Sequence, residues 1–173
     1  NSELDFGSLK GLVSSLEAHP PFNFMRRKVC LITGGAGFLG KKYCEMFLKQ
    51  NYIVICVDKN IKLLNKLKKK NRNLFLENAD ITNIKEVKQL YVRLKKKFKI
   101  DVLINNAAID AVPRKKTGNL NKYPNLEDWD KEFNVSLKGS FFMIKFFGEQ
   151  MVKKKRGSII NIGSDLSVIA PNQ

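Results

Sequence analysis

Thr33 to Gly40, TGGAGFLG, is the stretch on which the reading of this chain turns. It follows the apolar run Val29–Thr33, which reads as a strand, and opens Phe38–Gln50, whose apolar spacing reads as a helix. Ile53–Val57 then reads as a second strand, completing a βαβ unit. Glycines at such a turn have a physical use. Without Cβ atoms the chain bends tightly, its backbone can approach a pyrophosphate, and the helix packs close to the strand with its N-terminus facing the phosphates. Two spacings fit: Gly35, Gly37 and Gly40 as G-x-G-x-x-G, or Gly34, Gly37 and Gly40 as G-x-x-G-x-x-G. In either, Gly34, Gly35, Ala36, Gly37, Phe38, Leu39 and Gly40 form a candidate dinucleotide-binding loop. Asp58 ends the second strand about 20 residues beyond the glycines, where a carboxylate accepts hydrogen bonds from the adenosine ribose hydroxyls and repels a 2′-phosphate. NAD is the expected cofactor, and the adjacent Lys59 leaves NADP open.

Outward from this unit the alternation continues. Ile61, Leu64 and Leu67 give a second helix its stripe, Asn73–Glu77 a short strand, and Ile84, Val87, Leu90, Tyr91, Leu94 and Phe98 a third helix face. Asp101–Asn105 supplies a fourth strand. A long helix opens near Asn125, a good cap with Glu127 and Asp128 in its first turn, and Gly157–Ile162 makes a fifth strand. Strands separated by helices need crossover connections, so the expected fold is a doubly wound parallel α/β sheet, Rossmann-like, running to its fifth strand. Residues 25–173 are assigned to this domain. Residues 1–24, with Gly7, Gly11 and Pro20-Pro21, read as a leader or linker.

Composition removes several classes. At 173 residues and 43% hydrophobic content the chain is one folded domain, and no apolar run approaches the ~20 residues of a spanning helix. Cys30, Cys44 and Cys56 lack CxxC spacing and His19 is the single imidazole, so metal and disulfide frameworks lose support and three buried thiols in a reducing cytoplasm are expected. The net charge is +16, and residues 61–100 alone carry 13 basic and 3 acidic side chains. Most of these lysines lie on the wet sides of helical patterns without interleaved aromatics. A solvated basic surface is therefore preferred to a nucleic-acid site.

TGGAGFLG, NADI (Asn78–Ile81) and LINNAA (Leu103–Ala108), in that order, resemble the short-chain dehydrogenase/reductase family over nearly everything after Met25. The resemblance implies that Asp80 and Ile81 flank the adenine and that Asn106, Ala107 and Ala108 line the cofactor groove. For Asn105 and Asn106 the residues themselves also allow a strand-end turn that satisfies backbone groups. GSIINIGSDLSV (Gly157–Val168) resembles the family's fifth strand with its serine, placing Ser164 at the catalytic serine position, where it holds the substrate oxygen. Ser136 in NVSLKG stands where many members carry an asparagine of a proton relay, which makes it a second catalytic candidate. The family's Tyr-x-x-x-Lys pair does not occur after Ser164 before the chain stops at Gln173, and Tyr91 and Tyr123 are read as unsuited to that role. The chain is therefore expected to be an incomplete enzyme, inactive as a fragment.

The resemblance implies hydride transfer between nicotinamide and a carbonyl or secondary alcohol of a small molecule, with a sugar among the candidates. It also implies a homo-oligomer when complete. TGxxGxxG spacing resembles the extended branch that epimerises or dehydrates sugar nucleotides, whereas NNAA and NVSLKG resemble the single-domain reductases. NNAAID and SDLSVIAP are similar to oxidoreductases of bacterial surface-sugar and flagellin modification. The loop from Asp110 to Pro124, with Arg114, Lys115 and Lys116, suits an anionic or hydroxylated substrate as well as it suits solvent. The aromatics Trp129, Phe133, Phe141, Phe142, Phe146 and Phe147 are read as core and subunit packing. An alternative of a different class is a basic binding module without catalysis.

Overall fold

In the computed structural model residues 26–109 and 126–163 are described, and within them five parallel strands lie in the order β3-β2-β1-β4-β5. They are β1 (Val29–Thr33), β2 (Ile53–Asp58), β3 (Leu74–Asn78), β4 (Val102–Asn105) and β5 (Ser158–Asn161). The three central strands read VCLIT, IVICVD and VLIN, apolar at nearly every position because a parallel sheet is covered on both faces. Leu31 stands between Ile55 of β2 and Leu103 of β4 in register. The leader, the segment with Arg114, Lys115 and Lys116, the Asn125 cap and Ser164 lie outside the described residues.

The side chains of β1 alternate between two cores. Cys30 and Ile32 join Tyr43, Cys44 and Phe47 of α1 (Phe38–Lys49), together with Leu64 and Leu74. Val29 and Leu31 face Val87, Leu90 and Leu94 of α3 (Ile84–Lys95) and Phe142, Met143, Phe147 and Met151 of the long helix. The second helix is shorter than its stripe suggested: a tight single turn, Ile61–Leu64, precedes α2 (Asn65–Lys70). In α3, Asn83 caps by accepting from the Lys85 N–H at 3.0 Å, while Glu86 accepts from the Asn83 amide at 2.9 Å. Ile84 departs from the expected apolar face and is exposed. The lysines of α2 and α3 lie mostly in solvent, and Cys30, Cys44 and Cys56 are buried and free.

The long helix runs as α4 (Leu126–Phe133), α5 (Ser140–Met143) and α6 (Glu149–Lys153), joined through the wider turns Asn134–Gly139 and Ile144–Gly148. Its junction residues all have right-handed helical dihedrals, so the axis is continuous. Its aromatics divide between two environments. Phe142 and Phe147 are buried, whereas Trp129, Phe133 and Phe141 are exposed.

At the amino end of the sheet, sequence reading missed the residue that organises the charges. Asp101 is 6% exposed, and its Oδ2 accepts the Val29 N–H at 2.9 Å. Arg26 Nη2 reaches both carboxylate oxygens at 2.7 and 2.9 Å, Arg156 lies at 3.3 Å and Lys154 at 3.5 Å. Burial pulls the Lys154 ammonium below its ordinary value, and the Asp101 charge opposes that shift. Removing the carboxylate charge strands these cations and weakens the tie between β1, β4 and the end of the long helix. Asp101→Asn is expected to lower unfolding free energy by about 2 kcal/mol, discounted because Arg26 and Arg156 are half in water. Urea titration of the two proteins checks this.

Candidate functional site

The order of the strands fixes where a ligand can sit. From β1 the chain adds β2 and β3 on one side, then crosses over to add β4 and β5 on the other, which leaves a crevice outside the carboxyl ends of β1 and β4. A cleft of about 400 Å³ lies there. The turn after β1 contributes Gly34, Gly37, Phe38, Leu39 and Gly40, and the end of β2 contributes Asp58 and Lys59. Asp80 and Ile81 enter from beyond β3, Asn106, Ala107 and Ala108 from beyond β4, and Val135 from the long helix.

Packing demands glycine at three positions of the turn, Gly34, Gly35 and Gly40. Gly34 has φ +62°, and a Cβ there would come within 2.7 Å of the Ala107 Cα. A Cβ on Gly40 would stand 2.1 Å from the Gly34 carbonyl oxygen, so α1 can sit this close to the turn only with glycine at that position. What separates the spacings is the cleft: Gly34, Gly37 and Gly40 line it. Gly35 is buried away from the cleft, where a Cβ would meet the Cys56 Sγ at 2.4 Å, and Ala36 does not line the cleft either. The Ala36 N–H instead donates to Asp58 Oδ2 at 3.0 Å. Gly37 is exposed at the start of α1, a Cβ there would meet only the Gly34 oxygen at 3.3 Å, no side chain caps the helix, and its first turn holds no acidic residue. Such an open, uncapped helix start fits a pyrophosphate.

The cleft floor rests on a residue that the sequence had shown only as the end of a strand. Thr33 is fully buried, and its hydroxyl oxygen accepts the backbone N–H groups of Asn106 at 3.0 Å and Ala107 at 3.1 Å. Asn106 returns the tie, its amide donating to the carbonyls of Thr33 at 3.0 Å and Gly34 at 3.2 Å. The strand-end role and the groove-lining position therefore coincide in Asn106. Asn105 joins β4 to β5 by donating to the Asn161 side chain at 2.8 Å.

At the other end of the cleft, Asp58 Oδ1 accepts the Asn60 N–H at 2.8 Å. Asp80 Oδ1 accepts from the Thr82 N–H at 2.9 Å and its hydroxyl at 2.7 Å, and Oδ2 pairs with Lys59 at 3.0 Å. Burial alone would raise the Asp80 carboxyl, but the Thr82 hydrogen bonds and the Lys59 ammonium outweigh it and hold the group below its usual value. Ile81 is buried and packs on the long helix at Gly139, where a Cβ would come within 2.7 Å of its Cδ1. Ser136 follows the cleft-lining Val135 but is exposed and does not line the cleft. Ser164 lies outside the described residues.

Tyr91 does carry a lysine four residues on, Lys95, so spacing alone leaves it eligible as an acid/base pair. Its place in the fold removes it. The ring packs on Phe147 at 5.5 Å and Phe146 at 5.8 Å between α3 and the long helix, outside the cleft lining. Among the described residues no cluster of His, Cys, Asp and Glu could hold a metal ion, and no helix is long and apolar enough to cross a membrane.

The short chain dehydrogenase family model matches residues 28–172, and the chain belongs to that family. An NAD-dependent glycerol dehydrogenase of Listeria innocua is 33% identical over 146 residues, covering 83% of this chain and 55% of that protein. The 3-oxoacyl-(acyl-carrier-protein) reductase FabG of Thermotoga maritima is 36% identical over 151 residues, covering 82% and 57%. A short-chain dehydrogenase from Leptospira borgpetersenii, solved with bound NAD+, superposes with a TM-score of 0.73 at 28% identity over 90% of this chain and 59% of that one. The chain spans little more than half the length of these relatives.

Two outcomes test the geometry. Gly40→Ala drives a Cβ into backbone and is expected to cost about 3 kcal/mol, measured by denaturant unfolding. The lowered Asp80 carboxyl contributes stability that is complete above the ordinary Asp range, near pH 4, and is lost as pH falls through its folded value. Asp80→Asn should therefore flatten the acid limb of a melting-temperature profile below about pH 4 while lowering the neutral plateau.

Proposed function

We propose that this chain forms the cofactor-binding part of an NAD-dependent oxidoreductase acting between a carbonyl and a secondary alcohol of a small molecule. The observation that carries this reading is the crevice between β1 and β4, with the open start of α1 at Gly37 on one wall and the Asp58 carboxylate at the end of β2. The nicotinamide, when bound, accepts or returns the hydride. The chain's own residues bind and orient it. Gly34, Gly37 and the first turn of α1 receive the pyrophosphate, and Asp58 takes the adenosine ribose. Asp80 and Ile81 flank the adenine, while Asn106, Ala107 and Ala108 line the groove toward the reacting end. Ser164 holds the substrate oxygen.

Asp58 favours NAD, and the Listeria relative named as NAD-dependent, with glycerol as its substrate, supports both the cofactor and a secondary alcohol. The exposed row Trp129, Phe133, Leu137 and Phe141 on the long helix supports assembly with a second copy. Saturating NAD is expected to raise the melting temperature by about 5 °C or more, with NADP giving a smaller rise. Gly37→Val, whose Cβ requires the Gly34 oxygen to give by only a few tenths of an ångström, fills the phosphate approach and should fold and lose the rise. A variant that responds like the parent, or a parent indifferent to both dinucleotides, would sink the reading.

A further inference from the structure

The adenosine end of the cleft holds an ion pair that the dinucleotide reading does not use, and the following inference rests on that reading. Asp58 has each carboxylate oxygen committed to a backbone N–H, Oδ2 to Ala36 and Oδ1 to Asn60, so its negative charge is fixed beside the ribose position. A 2′-phosphate would bring a further charge of about −1.5 to −2 to that place. Lys59 is the cation that directly follows Asp58 and lines the same cleft. Its ammonium lies 3.0 Å from Asp80 Oδ2.

The Asp80 carboxylate and the backbone of Lys59 are held, while the Lys59 side chain itself is 72% exposed. The Asn78 amide donates to the carbonyls of Asp58 at 3.3 Å and Lys59 at 2.8 Å, which pins the end of β2 to the end of β3. Asp80 is fixed by Thr82 on Oδ1 and by its own N–H, which donates to Glu86 at 2.8 Å, so Oδ2 is presented to Lys59. An exposed pair of this kind contributes little to folding. Its consequence is chemical, because an ammonium already matched to a carboxylate is a poor partner for a phosphate.

We propose that Asp80 is a specificity-determining residue that acts through Lys59, holding the ammonium away from a 2′-phosphate and so keeping the cleft selective for the unphosphorylated dinucleotide. Asp58 excludes by repulsion, and Asp80 excludes by occupying the cation that would compensate. Asp80 serves here as a positioning residue for Lys59, whatever contact it makes with adenine.

Calorimetric Kd values for NAD and NADP, measured on the parent protein, Asp80→Asn, Lys59→Met and the double variant, test this. Asp80→Asn is expected to move the NAD-to-NADP affinity ratio about fivefold toward NADP, the size of one exposed charge contact. In the Lys59→Met background the same change should move it less than twofold, and Lys59→Met alone should leave NADP affinity within twofold. A gain from Asp80→Asn that survives in the Lys59→Met background would mean simple removal of a repelling charge, and would overturn the inference. So would a large loss of NADP affinity in Lys59→Met alone, a substitution of an exposed side chain that keeps the test available if Asp80→Asn folds poorly. Binding of neither dinucleotide by the folded parent overturns the functional reading itself, and this inference with it.

Discussion

A buried hydroxyl at the end of β1 holds the cleft together. Thr33 accepts two backbone N–H groups from the segment leaving β4, and Asn106 from that segment donates back to the carbonyls of Thr33 and Gly34. Those four hydrogen bonds let two backbones meet closely at Gly34 and Ala107 in a place where parallel strands diverge into loops. The β1 and β4 side of the site is hung from that junction: the start of α1 follows from the turn it fixes, and the groove beyond β4 is its other side. A buried donor or acceptor left unmatched here would cost more than the contact itself contributes.

The two ends of the sheet divide the work. At the amino end, Asp101 gathers Arg26, Arg156 and Lys154 around one buried carboxylate and serves the fold. At the carboxyl end, Asp58 and Asp80 keep oxygens facing a cleft, and their hydrogen bonds come from the backbone and side chains of short turns. Few of the chain's basic residues take part at either end. The lysines of α2 and α3 lie mostly in water, where they contribute to solubility and weakly to stability.

Much of this was legible in the chain. Continuous apolar runs at Val29–Thr33 and Ile53–Val57, separated by a helical stripe, require a parallel pair, and the observed strand bounds differ from the expected ones by a residue or so. The glycine turn and Asp58 were visible because their chemistry depends on local spacing. Thr33 and Asp101 were not, since a threonine at a strand end and an aspartate before a strand look ordinary until partners 73 and 72 residues away close on them. The lysine four residues after Tyr91 illustrates the converse, a spacing that suggests chemistry in a residue that the fold uses for packing.

Sequence by itself determined the class of fold, the family, the position of the glycine turn and the acid at the end of β2, because each is written in a period or a short-range pattern. Tertiary structure decided which glycines face the cleft, because their directions are set only in the folded turn: Gly34, Gly37 and Gly40 line it, whereas Gly35 is buried against Cys56. It also decided that Lys59 faces Asp80, since that contact requires β2 and β3 to lie side by side with their ends in register.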